Sequence, residues 1–107
     1  MLMAQYDVYE NPNIAQRSAF PFIVVLQNDQ LDYQSTRFVM PLARLPHMPL
    51  KAPKRLAQTV EVAGEKLFLG AHLCGAIPAQ LLRAPVLDLR RDASVLSDAL
   101  DAVISGV

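Results

Sequence analysis

The chain has 107 residues, with ten acidic and ten basic side chains, no formal net charge, 52% hydrophobic residues and 19% charged ones. A chain of this length buries roughly two thirds of its surface on folding, so a single domain over 1–107 with one core is expected. The composition excludes a disordered chain and a broad phosphate-binding field, so direct binding to nucleic acid is not expected. No apolar run approaches the roughly 18 residues that a membrane-spanning helix needs, and MLMAQYDVYE lacks the basic start and apolar centre of a secretion signal; a cytoplasmic protein is expected.

Taken in chain order, Tyr6 and Val8 alternate with Asp7 and begin a first strand. ENPNIAQRSA (10–19) is rich in turn formers and reads as a loop. FPFIVVLQ (20–27) is apolar on both faces, with Phe20, Phe22, Val24 and Leu26 opposite Ile23 and Val25, which predicts a central strand. NDQLD (28–32) is a turn-prone link. TRFVMPLARL (36–45) is again apolar on both faces, but Pro41 cannot donate to a ladder and implies an edge, a bulge or a bend. LPHMPLKAPK (45–54) holds three prolines and predicts an irregular surface loop.

TVEVAGEKLFLG (59–70) alternates, turns at Ala63–Glu65 and resumes at Leu67, which predicts a β-hairpin. AHLCGAIPAQLLRAP (71–85) is ambiguous, with one helical turn at PAQLLR, and VLDL (86–89) is short enough for a minor strand. The spacing after Asp92, a plausible N-cap, predicts a long helix whose Val95, Leu96, Ala99, Leu100 and Val103 share an apolar face, with Asp98, Asp101 and Ser105 opposite and Ser105 carrying on past its end. Asp98 and Asp101 sit in its last turns, where the helix dipole favours cations, so this end faces bulk water or awaits a basic partner. Two-sided apolar strands with one covering helix leave sheet surface in need of a partner, and a homodimer is expected.

The chemistry that can be excluded is broad. Cys74 is the one cysteine, and HLC (72–74) supplies one His and one Cys with no second ligand pair, so neither a disulfide nor a metal site is expected. There is no phosphate loop, no glycine-rich fingerprint and no nucleophile motif beside His47 or His72. No catalytic residue and no cofactor is expected. Arg90–Arg91 and KAPKR (51–55) form two small basic clusters, each more often a solvated surface than a site.

The order of elements, with QYDVY (5–9), FIVVLQNDQLD (22–32), RFVMPL (37–42), VEVAGEKLFL (60–69), LDLR (87–90) and a final helix followed by Gly106 and an aliphatic residue, resembles the CcdB family of bacterial toxins from toxin-antitoxin modules. The resemblance implies a mainly β fold with one C-terminal α-helix, a small SH3-like β-barrel of the CcdB–MazF type built on an antiparallel sheet. It implies a homodimeric toxin that binds the A subunit of DNA gyrase, a type II topoisomerase, and stabilises its cleaved-DNA complex without bond-making chemistry of its own. It also implies a cognate antitoxin of the CcdA type that folds on binding. The gyrase contact carries over to Asp101, Ile104, Ser105, Gly106 and Val107, helped by Gln30 and Leu31.

Such toxins characteristically place a Trp just before the terminal Gly and aliphatic residue, where this chain has Ser105 and no Trp at all. Loss of a Trp hot spot costs on the order of 2 to 4 kcal/mol, roughly thirty- to a thousandfold in affinity. Asp101 and Gln30 also stand where the family tends to have a neutral amide and a β-branched apolar residue. Two alternatives therefore stand beside the gyrase poison. One is a non-poisoning relative that only binds antitoxin. The other is an endoribonuclease like MazF and Kid, for which Arg17, Arg37 and His47 are the candidates.

Overall fold

A computed structural model of the chain describes residues 4–31, 34–44 and 58–105. Its framework is a seven-stranded sheet: β1 (Asp7–Glu10), β2 (Phe22–Val25), β3 (Thr36–Ala43), β4 (Thr59–Val62), β5 (Glu65–Leu69), β6 (Gly75–Pro78) and β7 (Leu87–Asp88). A helix, α1 (Ala93–Ser105), follows. The strands run in the order β4-β5-β3-β2-β1-β7, with β6 beside β3, and every pairing is antiparallel. The Pro-rich stretch 45–54, expected to be a loop, lies outside the described residues.

Strand β3 explains why a proline is tolerated in the middle of a sheet. One side pairs with β2 over residues 39–42, matching Ile23 with Pro41 and Val24 with Met40. On the other side Thr36–Val39 pair with β6, whereas Leu42 and Ala43 pair with β5. Pro41 falls at the changeover. A strand residue directs its N–H and C=O to the same side, so the missing N–H of Pro41 faces the gap between β6 and β5 rather than the β2 ladder. Its carbonyl accepts from the Gly70 N–H at 2.8 Å. β3 is thus not an edge strand, and the expected irregularity is a switch of neighbours.

Period-two alternation sorts the apolar residues into two clusters. Val8, Val24, Met40, Leu42, Val60, Val62, Leu67 and Leu69 form the main core with Leu89, Leu96 and Ala99. This cluster holds residues from β4 at one end of the sheet and β1 at the other, with Leu87 of β7 packed against it, so the sheet curls around it toward a nearly closed barrel. Ile23, Val25, Val39 and Tyr9 point to the opposite face and are buried in a second cluster with Leu82, with Ile77 of β6 packed against it. The second apolar face is therefore covered within the chain, and the sheet surface does not by itself demand a second protomer.

Several local expectations change. Tyr6 lies before β1 in a left-handed conformation, φ 73°. The loop 10–19 contains a short 3-10 turn, Ile14–Gln16, whose Ala15 N–H donates to the Asn13 side chain at 3.2 Å. The ambiguous 71–85 stretch contains β6 between 3-10 turns at Ala71–Leu73 and Ala79–Leu81. Asp92 does not begin the helix; it closes a 3-10 turn, Arg90–Asp92, that runs into α1. Asp88 accepts the Arg90 N–H there, at 3.1 Å. Leu96, Ala99 and Ala102 are the buried residues of α1, while Val103 is 38% exposed. Small alanines let the helix sit close, and Val103 lies too near its end to be covered. Ser105 belongs to the helix, which runs one residue further than expected.

Two substitutions of opposite sign test this backbone. Ala63 and Gly64 connect β4 to β5 with φ of 52° and 82°, the two positive values that a tight hairpin turn of this twist requires. An alanine is strained there, so Ala63→Gly should stabilise by about 0.5–1 kcal/mol and raise Tm by a few degrees. A Cβ at Gly70 would meet the Pro41 carbonyl oxygen at 2.8 Å, closer than real contacts allow. Gly70→Ala should therefore destabilise by on the order of 1–3 kcal/mol in denaturant unfolding; an unchanged midpoint would show that β3 and β5 can part without penalty.

Candidate interaction surface

The helix C-terminal half presents a defined outer face. Leu96, Ala99 and Ala102 fix its orientation by facing the core. At about 100° of rotation per residue, Asp101, Ile104 and Ser105 fall within an arc of about 100° directed away from that stripe. All three are exposed, Ile104 at 76% of its surface. The Ser105 hydroxyl donates to the Asp101 carbonyl at 2.7 Å, four residues back, so it is turned onto its own helix. Asp101 and Ile104 are left as the outward polar and apolar contacts.

Gln30 and Leu31 occupy a 3-10 turn, Asp29–Leu31, and both are exposed, Leu31 at 44%. Asn28 starts it by accepting the Gln30 N–H on its side chain at 2.9 Å and the Leu31 N–H on its carbonyl at 2.9 Å. The structure thus groups Asp101, Ile104 and Ser105 on one arc and Gln30 and Leu31 in one turn. Both elements are fixed to the main core, the turn through the adjacent Leu26 and the helix through Val95 and Leu96. Gly106 and Val107 lie outside the described residues.

The residues considered for RNA cleavage are engaged locally. The Arg17 guanidinium donates through Nε to the Asn11 carbonyl at 2.6 Å and lies 3.5 Å from Glu10. Arg37 is buried and donates to the carbonyls of Gln34 and Thr36. His47 lies outside the described residues. Of the basic clusters, Arg90 is spanned between Asp7 at 3.6 Å and Asp88 at 3.0 Å, and residues 51–55 lie outside the described part of the chain. Among the described residues no three His, Cys, Asp or Glu side chains gather as a metal group, and no helix is long and apolar enough to cross a membrane.

A groove of about 560 Å³ was not anticipated from the sequence. Ile14, Leu81 and Val86 line it with Glu10, Arg17 and Arg83. Ile14 is 74% exposed, and Leu81 and Val86 are nearly half exposed. The one local signal was an isoleucine within an otherwise polar, turn-rich loop. The other two residues meet it only because the 79–86 segment crosses beside β1, where the Val86 N–H donates to the Val8 carbonyl at 2.7 Å.

These features define a small curled antiparallel sheet with one terminal helix and exposed side chains on the helix and on a turn. A family model described as CcdB protein matches residues 5–106. The chain belongs to the CcdB family of toxins from toxin-antitoxin modules. Comparison with curated proteins gives no match.

Burial also governs the reactivity of Cys74. Desolvation of this partly buried thiol disfavours the thiolate and pushes its pKa up from 9.0 to about 11. Folding favours the neutral form, so this contribution to stability is intact below about 9 and is lost as pH rises through about 11. At pH 8 iodoacetamide should alkylate Cys74 at least tenfold more slowly in the folded protein than in urea. Equal rates would show an accessible, unperturbed thiol.

Proposed function

We propose that this toxin binds the A subunit of DNA gyrase through the outward face of α1 and the Asn28–Leu31 turn, and stabilises the enzyme's cleaved-DNA complex. It acts in the cytoplasm as a homodimer, makes and breaks no bonds itself, and is neutralised by a cognate antitoxin of the CcdA type. The observation that carries this reading is Ile104, a large apolar side chain 76% exposed beside Asp101 on a helix whose other face is fixed to the core. An apolar anchor on a rigid element can be buried by a partner with little loss of conformational freedom. Gly106 and Val107 extend this contact, and Asp101 supplies a charge for a basic side chain of the partner.

A second reading is favoured by two observations together. Ser105 is too small to fill a pocket shaped for an aromatic ring, and its hydroxyl is turned back onto the Asp101 carbonyl. The groove in which Ile14, Leu81 and Val86 meet Glu10, Arg17 and Arg83 offers a binding surface built from other elements. In that case the protein keeps the antitoxin contact and has lost the poisoning.

Titration against a gyrase A fragment separates the two. Ile104→Asp should weaken binding by about ten- to a hundredfold, while Tm falls by no more than a few degrees, since the side chain is exposed and only the helix dipole opposes the new charge. Ser105→Trp should tighten binding or raise toxicity. Deleting Gly106 and Val107 should abolish binding while leaving the fold intact. A parent protein that fails to bind gyrase A but binds its antitoxin would establish the second reading. Light scattering should give about twice the 11.8 kDa chain mass, and a long single-stranded RNA should survive incubation. Cuts that vanish on replacing Arg17 or Arg37 would overturn the binding-protein reading.

A further inference from the structure

The Asn28–Leu31 turn is held from outside itself by two glutamines. Gln27 follows β2 by two positions and is only partly exposed. Its side-chain Nε2 donates to the Leu31 carbonyl at 2.9 Å and to the Thr36 carbonyl at 3.3 Å. Its Oε1 accepts the Phe38 N–H at 3.2 Å. One amide therefore spans the start of the connector, the end of its 3-10 turn and the first residues of β3. Gln5 approaches from the other side, with its backbone N–H donating to Asp29 Oδ1 at 2.6 Å and its Nε2 donating to the Leu26 carbonyl at 3.0 Å. The Leu31 carbonyl also accepts the Gln34 N–H at 3.0 Å. Gln30 and Leu31, by contrast, have exposed side chains.

An exposed turn left to itself samples several conformations, and ordering it on binding subtracts from affinity. The Leu31 and Thr36 carbonyls also accept from the Gln34 N–H and from Arg37, so what the Gln27 amide adds is a cross-link that fixes the end of the turn against the start of β3. We propose that Gln27, assisted by Gln5, is a positioning residue that holds the Asn28–Leu31 turn in its binding-ready form, so that Gln30 and Leu31 meet the target without being ordered first. This rests on the reading that the turn contacts gyrase A. Gln27 itself need not touch the target.

Gln27→Glu isolates the effect. It keeps size and the acceptor for the Phe38 N–H, but sets a carboxylate oxygen against the Leu31 and Thr36 carbonyls in place of a donor. Thermal unfolding should move by no more than a few degrees. The backbone amides of Leu31 and Gln34 should exchange with deuterium about tenfold faster, and affinity for a gyrase A fragment should fall about tenfold. The same substitution placed on a Gln30→Ala/Leu31→Ala background should change affinity less than twofold, because the contacts it positions are gone. A full tenfold loss on that background would overturn the positioning role, since Gln27 would then act through something other than the turn. Unchanged amide exchange would overturn the hold itself. If the double alanine variant binds as the parent does, the turn is not a target contact; faster exchange in Gln27→Glu would then separate failure of the contact reading from failure of the hold.

Discussion

The fold depends on what β3 does on either side of Pro41. A sheet this small cannot give every strand two full-length neighbours, and β3 solves this by sharing one side between β6 and β5 while β2 pairs with residues 39–42 on the other. Proline removes one donor at the point where no ladder needs it, and Gly70 lets the backbone just past β5 approach to 2.8 Å of the carbonyl that remains. The hairpin is thereby brought over the same core that β1 and β2 face, with Val60 and Val62 joining Val8 and Val24. Without that switch the hairpin and the N-terminal strands would not share one interior, and α1 would have no continuous apolar surface to dock on.

Charged side chains spend much of their hydrogen-bonding capacity on loops. Arg44 donates to the carbonyls of Arg17 and Ser18 at 3.2 and 3.0 Å and pairs with Glu65 at 2.6 Å, tying the 17–19 loop to the hairpin. Arg90 ties β1 to β7 through Asp7 and Asp88. Short strands joined by irregular links leave many backbone carbonyls without ladder partners, and long side chains with several donors satisfy them. Their ion pairs are partly exposed and individually modest in energy, so their contribution is to geometry more than to stability. Arg90, read in the sequence as part of a basic cluster, and Arg17 and Arg37, isolated candidates for RNA cleavage, are engaged in such bracing contacts in the structure.

The same economy leaves the outer face of α1 unoccupied by the fold. Leu96, Ala99 and Ala102 orient the helix, and the small alanines keep it close to the 71–73 turn. An exposed Ile104 has no part in that packing. Side chains can therefore change at Asp101, Ile104 and Ser105 without repacking the interior, so the contact proposed for this face can be lost or altered independently of the fold.

The sequence by itself determined the central strand, the hairpin and the terminal helix, because each is written in local periodicity: Val24 alternating with Ile23 and Val25, Val60 and Val62 before Ala63–Gly64, Leu96 and Ala99 on one stripe. The outward position of Asp101 and Ser105 was legible for the same reason, since helical spacing fixes relative direction. Strand β6 was not legible, because Gly75–Pro78 is short and alternates weakly, and it is a strand only through its pairing with β3. The packing of Ile23 and Val25 with Leu82 and Ile77, and the meeting of Ile14 with Leu81 and Val86, join residues more than fifty positions apart. No local pattern encodes such contacts; the curl of the sheet creates them. For the same reason only tertiary structure decided that Gln27 and Gln5 close over the Asn28–Leu31 turn, since an amide's partners are set by which carbonyls the fold brings within hydrogen-bond reach.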